Sequence, residues 1–142
     1  MSVNKLSHVV WNCKYHIVFL PKYRYKFFSQ EVKEAVKDEI KKLCIWMKVI
    51  IVEGKVCKDH VHLCLSIPPK YNVAEIIGTI KGKTAIRLFN KFPEMKKRYW
   101  GCHFWARGYY VDTVGRNEEV IREYIKNQDK LDRQTMQLKL WQ

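Results

Sequence analysis

The sequence predicts an α+β domain on a ferredoxin-like split β-α-β plan: an antiparallel sheet with helices on one face and one additional helix at the C-terminal end. Three observations carry this. Patterned segments follow one another in the order β-α-β-β-α-β-α along the 142 residues. Hydrophobic residues make up 47% of the chain, enough for one packed core. No stretch rich in Pro, Gly or Ser divides it, so residues 1–142 read as a single domain, with 131–142 as a weakly patterned tail.

Each element has its own warrant. Between His8 and Leu20, Trp11, Cys13, Tyr15, Ile17 and Phe19 alternate with Asn12, Lys14 and His16, the period of a strand with one buried face. Ser29 suits a helix N-cap, and Val32, Val36, Ile40, Leu43 and Met47 then lie along one helical side. Val49 to Val56 is β-branched and predicts a second strand. A turn at Lys58-Asp59 leads to a third, His60 to Ile67, which Pro68-Pro69 ends. Asn72 suits the cap of a second helix with Val73, Ile76, Ile77, Ile80, Leu88 and Phe89 inside and Lys81, Lys83 and Arg87 outside. After a polar and aromatic loop, a fourth strand is expected from Phe104 to Val111. Asn117 then opens a last helix reaching about Asp129.

Length and charge narrow the function classes. The chain is too short for a barrel enzyme of about 250 residues. No apolar run approaches the ~20 residues that span a bilayer, and the N-terminus has no signal-peptide core. Cys13, Cys44, Cys57, Cys64 and Cys102 are an odd set without a CxxC pair, which favours a reducing cytoplasm over a disulfide framework or zinc ribbon. Lys and Arg number 27 against 14 Asp and Glu, a net charge of +13, so the expected partner is a polyanion, most simply nucleic acid.

Two clusters carry candidate chemistry. On a strand, His60 and His62 project from the same face about 7 Å apart, while Val61, Leu63, Leu65 and Ile67 turn to the core. Both imidazoles can then address one ion. Two histidines do not complete a site, and Asp59, Glu53, His16 and Gln128 are candidates for a third ligand. On the last helix, Val120, Ile121, Tyr124, Ile125 and Gln128 share one face, and the carboxamide of Gln128 continues an otherwise apolar or aromatic stripe. A tyrosine with a pKa of ~10 attacks a phosphodiester poorly unless the phosphate is polarised, which a divalent ion does as a Lewis acid. Attack by tyrosine rather than water keeps the phosphodiester energy in a phosphotyrosine, so the cut strand can be rejoined elsewhere.

Lys58-Asp59-His60-Val61-His62-Leu63 with Tyr124-Ile125-Lys126-Asn127-Gln128 resembles the TnpA-type HUH single-tyrosine transposases of the smallest bacterial and archaeal insertion sequences, the IS two-hundred/six-hundred-five group. Tyr15-His16-Ile17-Val18-Phe19, Lys22-Tyr23-Arg24 and Trp105-Ala106-Arg107-Gly108-Tyr109 extend the resemblance over about His8 to Lys130. It implies His60 and His62 as metal ligands, Tyr124 as the nucleophile forming a 5′-phosphotyrosine, Gln128 as the residue completing the metal shell, and hence a catalytic role for the last helix. It further implies Mg²⁺ or Mn²⁺, single-stranded DNA with hairpins near the element ends, and a homodimer whose active sites are shared between subunits. A cytoplasmic, nucleoid-associated location would follow.

Lys22, Arg24 and Lys26 interleave with Tyr23, Tyr25 and Phe27, a pattern suited to phosphate contact and base stacking. Lys81, Lys83 and Arg87, then Lys97 and Arg98 beside Tyr99 and Trp100, and Arg107 are further DNA-binding candidates. Two alternatives stand beside the transposase: a related HUH nuclease acting on repetitive extragenic hairpins, and a non-enzymatic RNA or single-strand-binding module on the same sheet plan. The second leaves two histidines on the sheet face unexplained.

Overall fold

The computed structural model describes residues 4–5, 10–22, 29–97, 103–114, 123 and 125. Strands β1 (Asn4–Lys5) and β2 (Val10–Trp11) form a small antiparallel ribbon. The main sheet contains β3 (Lys14–Phe19), β4 (Ile50–Val56), β5 (Val61–Ser66) and β6 (Tyr110–Thr113) in the order β4-β5-β3-β6, every pair antiparallel. Helix α1 (Gln30–Met47) joins β3 to β4, and α2 (Val73–Lys91) leads from β5 towards β6. Each crossover skips one position in the sheet, which is the expected split β-α-β arrangement twice over.

The two faces of the sheet differ. Ile17 and Phe19 of β3 and Leu63 and Leu65 of β5 join Val36, Ile40, Ile76, Ile80 and Leu88 of the helices in the main core. His16 and Val18, with His62, Cys64 and Ser66, take the other face, as the alternation of strand side chains requires. That second face is not bare. Cys64 and Val114 are buried there together with Ile125, a helical residue, and Val52 packs against them. A bulge between Ile51 and Glu53 breaks the ladder at Val52 and lets it join this cluster.

Local chemistry explains the helix limits. The Ser29 hydroxyl accepts from the Val32 N–H at 3.3 Å and starts α1, and Lys48 ends it in the left-handed conformation at φ 59°. Asn72 accepts from the Glu75 N–H at 2.7 Å and starts α2. Ser29→Ala is expected to lower stability by about 1 kcal/mol in chemical denaturation, since one helix donor loses its acceptor.

Three expectations need correction. The strand predicted from His8 to Leu20 is divided: Trp11 pairs with Asn4 in the small ribbon and the main-sheet strand begins at Lys14. The loop after α2 contains one helical turn, α3 (Pro93–Lys96), with Pro at its start and Met95 buried. The fourth strand begins at Tyr110, not Phe104. Phe104 to Ala106 instead pairs with Leu20 to Lys22 through an isolated antiparallel bridge between Pro21 and Trp105, and Gly108 at φ 78° separates that bridge from β6. Of the last helix, Glu123 and Ile125 are described, and both are helical.

Candidate metal and nucleic-acid site

The hairpin between β4 and β5 sets the position of the histidines. The Cys57 N–H donates to the His60 carbonyl at 2.8 Å, which closes a two-residue turn at Lys58-Asp59. Asp59 Oδ1 lies 2.6 Å from Nδ1 of His60, so the carboxylate accepts from that nitrogen and fixes the ring of its neighbour. His60 is 2% exposed and His62 fully buried, and their ring centres are 4.4 Å apart with planes at 81°. The pair is therefore side by side on the sheet face opposite the main core, as the spacing predicts.

The four candidates for a third ligand separate. Asp59 holds the Nδ1 side of His60. His16 reaches His62 from β3, its Nε2 3.4 Å from His62 Nδ1, and so approaches on the Nδ1 side as well. Burial lowers the His16 pKa, and the charge of Asp112, its partner across β3 and β6, only partly opposes that. A carboxylate oxygen of Glu53 lies 3.4 Å from the Gly54 N–H. Among the described residues no group of three His, Cys, Asp or Glu side chains is arranged to hold an ion. Gln128 and Tyr124 lie outside the described residues. The described part still suits a cation: His60 Nε2 is buried with no hydrogen-bond partner among the described residues, and with Nδ1 donating to Asp59 it carries the lone pair a metal ion needs.

Comparison with known proteins decides the family. The family described as "Transposase IS200 like" matches residues 9–128. The chain belongs to the IS200-like transposase family. The transposase for insertion sequence element IS200 of Salmonella typhimurium is 47% identical over 135 residues, 95% of this chain and 89% of that protein. The ISDra2 transposase TnpA of Deinococcus radiodurans is 31% identical over 129 residues, 90% of this chain and 92% of its own. A crystal structure assigned to a transposase from Deinococcus radiodurans R1 superposes with a TM-score of 0.71 at 31% identity, covering 88% of this chain and 97% of that one. A REP-associated tyrosine transposase bound to a REP hairpin shares the fold, with a TM-score of 0.58 at 12% identity over 88% of this chain and 68% of that one.

The basic residues of this transposase fall into different settings. Lys83 and Arg87 are exposed on α2, in the helix layer on the far side of the sheet from His60 and His62, and Arg87 Nε lies 3.9 Å from Glu39 of α1. The Lys81 ammonium donates to the carbonyls of Ala106 at 2.8 Å and Gly108 at 3.0 Å, so it holds the segment that leads into β6, and its partial burial lowers its pKa. Lys22 is exposed, and its backbone N–H donates to Phe104. Lys97 and Arg107 are exposed. Tyr23, Arg24, Lys26 and Arg98 lie outside the described residues.

A groove of about 490 Å³ runs between α2 and residues 103–107. Ile86, Phe89, Phe104 and Trp105 supply apolar wall, while Lys81, Lys96 and Arg107 bring positive charge. The sequence pattern marked Arg107 but not this groove, because its two walls are distant in the chain. No helix among the described residues is long and apolar enough to cross a membrane.

The settings of Lys81 and Arg107 predict opposite outcomes. Lys81→Met is expected to destabilise the fold by about 1–3 kcal/mol in denaturant, because two carbonyls lose a charged donor. Arg107→Ala is expected to leave the melting temperature unchanged and to reduce the salt slope of DNA binding by about one phosphate contact.

Proposed function

We propose that this transposase cuts and rejoins single-stranded DNA at the ends of an insertion sequence through a 5′-phosphotyrosine on Tyr124, with His60, His62 and Gln128 holding a divalent ion, Mg²⁺ or Mn²⁺. The observation that supports this best is the pairing on one sheet face of two buried imidazoles with Ile125, the residue after Tyr124. Ile125 is buried against Cys64, which lies two residues beyond His62 on the same face. Ile125, helical and next in sequence to Tyr124, thus packs on the face that carries the histidines, which supports assigning the nucleophile to Tyr124.

In the proposed reaction the Tyr124 hydroxyl gives up its proton as its oxygen bonds to the scissile phosphorus, and the bond from phosphorus to the 3′ oxygen breaks. The departing 3′ oxygen takes up a proton. A second 3′-hydroxyl reverses the step, displacing Tyr124 and joining a new strand. A divalent ion held at this site would supply Lewis-acid polarisation of the phosphodiester. His60, turned by Asp59, and His62 would hold the ion through ring nitrogens and Gln128 through its carboxamide oxygen. Burial of the histidines excludes water from the donor side and strengthens every charge interaction there.

The open-sheet binding module is less well supported. A nucleic-acid platform of that kind needs an accessible sheet face, and here His16, Val18, His62, Cys64 and Ser66 are all buried. DNA contact is instead assigned to the exposed basic residues, Lys22, Lys97 and Arg107 among them, and the working unit to a homodimer with shared active sites.

Incubation with a single-stranded oligonucleotide carrying a hairpin from the flanking element end tests the reading. Mg²⁺ or Mn²⁺ is expected to give a protein–DNA adduct that survives denaturing electrophoresis and disappears with EDTA. Cleavage without an adduct would favour attack by water and overturn the tyrosine mechanism.

A further inference from the structure

His60 and His62 are each contacted at Nδ1, but by different chemistry. His60 has a carboxylate, Asp59 Oδ1 at 2.6 Å, and His62 has an imidazole, His16 Nε2 at 3.4 Å. The His16 and His62 ring centres are 5.6 Å apart with planes 13° from parallel. That separation is close to the nitrogen-to-nitrogen distance plus the two ring radii, so the two nitrogens face each other almost along the line between the rings. The contact is therefore edge to edge and nearly coplanar. A face-to-face stack at the same nitrogen separation would bring the centres much closer. Ring lone pairs and N–H bonds lie in the ring plane, so this is the in-plane arrangement of a hydrogen bond, somewhat longer at 3.4 Å than the usual ~2.7–3.2 Å.

We infer that His16 is a positioning residue for His62: its Nε2 accepts the Nδ1–H of His62, which fixes the ring and leaves the His62 Nε2 lone pair directed away from β3. The sheet register makes this contact available. Val18 lies opposite His62 and His16 opposite Cys64, so His16 and His62 are diagonal neighbours on one face, within reach of long side chains. His16 is held from its other side by β6, where Asp112 is its cross-strand partner and the Tyr110 ring meets it edge-on at 6.1 Å. His16 cannot share an ion with His62 through the nitrogen it uses here, because that nitrogen is spent on the opposite edge of the ring.

The metal role of His62 is the reading proposed above, and the tautomer of His62 can be measured without metal. In metal-free, ¹⁵N-labelled protein, long-range ¹H–¹⁵N correlation is expected to show His62 protonated at Nδ1. A predominant Nε2–H form would overturn the inference whatever the protein does with metal. Mn²⁺ titration followed by electron paramagnetic resonance, without DNA, is expected to give about 10- to 100-fold weaker binding in His16→Leu. Partial recovery is expected in His16→Gln, whose amide oxygen can accept. Mn²⁺ affinity in His16→Leu within about twofold of the parent, with the His62 tautomer unchanged, would also overturn it. Unchanged Mn²⁺ affinity in His62→Ala would instead defeat the metal assignment, while the tautomer of His62 in the parent protein would still decide the role of His16.

Discussion

Tyr124→Phe is expected to eliminate the covalent adduct with a hairpin-bearing single strand, while leaving hairpin binding largely intact. The substitution removes one oxygen and keeps the ring, so its effect falls on the attacking atom. Loss of a covalent nucleophile costs rate on the order of 10⁴-fold or more, which takes cleavage below detection. DNA affinity draws mainly on phosphate contacts spread over the basic surface and should change little. An adduct of undiminished yield in Tyr124→Phe would sink the assignment and direct attention to Tyr109 or Tyr110. Tyr110 is poorly suited to the role, since burial and the neighbouring Asp112 raise its pKa and its hydroxyl lies 3.5 Å from that carboxylate. The shared-site arrangement adds a second readout: Tyr124→Phe subunits mixed with His60→Ala subunits should regain partial activity in verified heterodimers. No rescue would place nucleophile and histidines in one chain.

The parts legible in the sequence are those fixed by local pattern. Helix α1 has both a capping serine and a five-residue apolar stripe, and Val32, Val36, Ile40, Leu43 and Met47 are all buried. His60 and His62 are legible for the same reason, since strand alternation alone places both on one face. What escaped is set by distant register. Nothing near Lys81 shows that its ammonium meets carbonyls 25 and 27 positions away, so it reads as a free surface cation. His16 reads as one of four candidate ligands until the β3–β5 pairing brings it to Nδ1 of His62. The start of β6 is not legible, because Phe104 to Tyr110 is as aromatic as a strand, while Gly108 and the Lys81 contacts hold it in another course. The turn of α3 carried a readable signal, Pro93 at its first position followed by Glu94.

His60→Ala and His62→Ala should each abolish cleavage, and the difficulty lies in separating lost ligation from lost packing. Both side chains are buried, so truncation opens a cavity as well as removing a donor. Cys64→Ala supplies the comparison. It lies on the same face two residues beyond His62, is fully buried, and packs against Ile125 and Val114. Truncating it should lower the melting temperature while keeping Mn²⁺ binding at the remaining stability. The histidine variants should lose Mn²⁺ binding and cleavage at temperatures where circular dichroism shows them folded. Asp59→Asn gives an intermediate expectation: the amide no longer attracts the His60 Nδ1 proton as a charge does, so metal affinity should fall by about 10-fold with the ligands still present. If the two histidine variants instead cleave in an EDTA-sensitive manner at the parent rate, the ion is held elsewhere. The buried Nε2 of His60 would then need a different occupant.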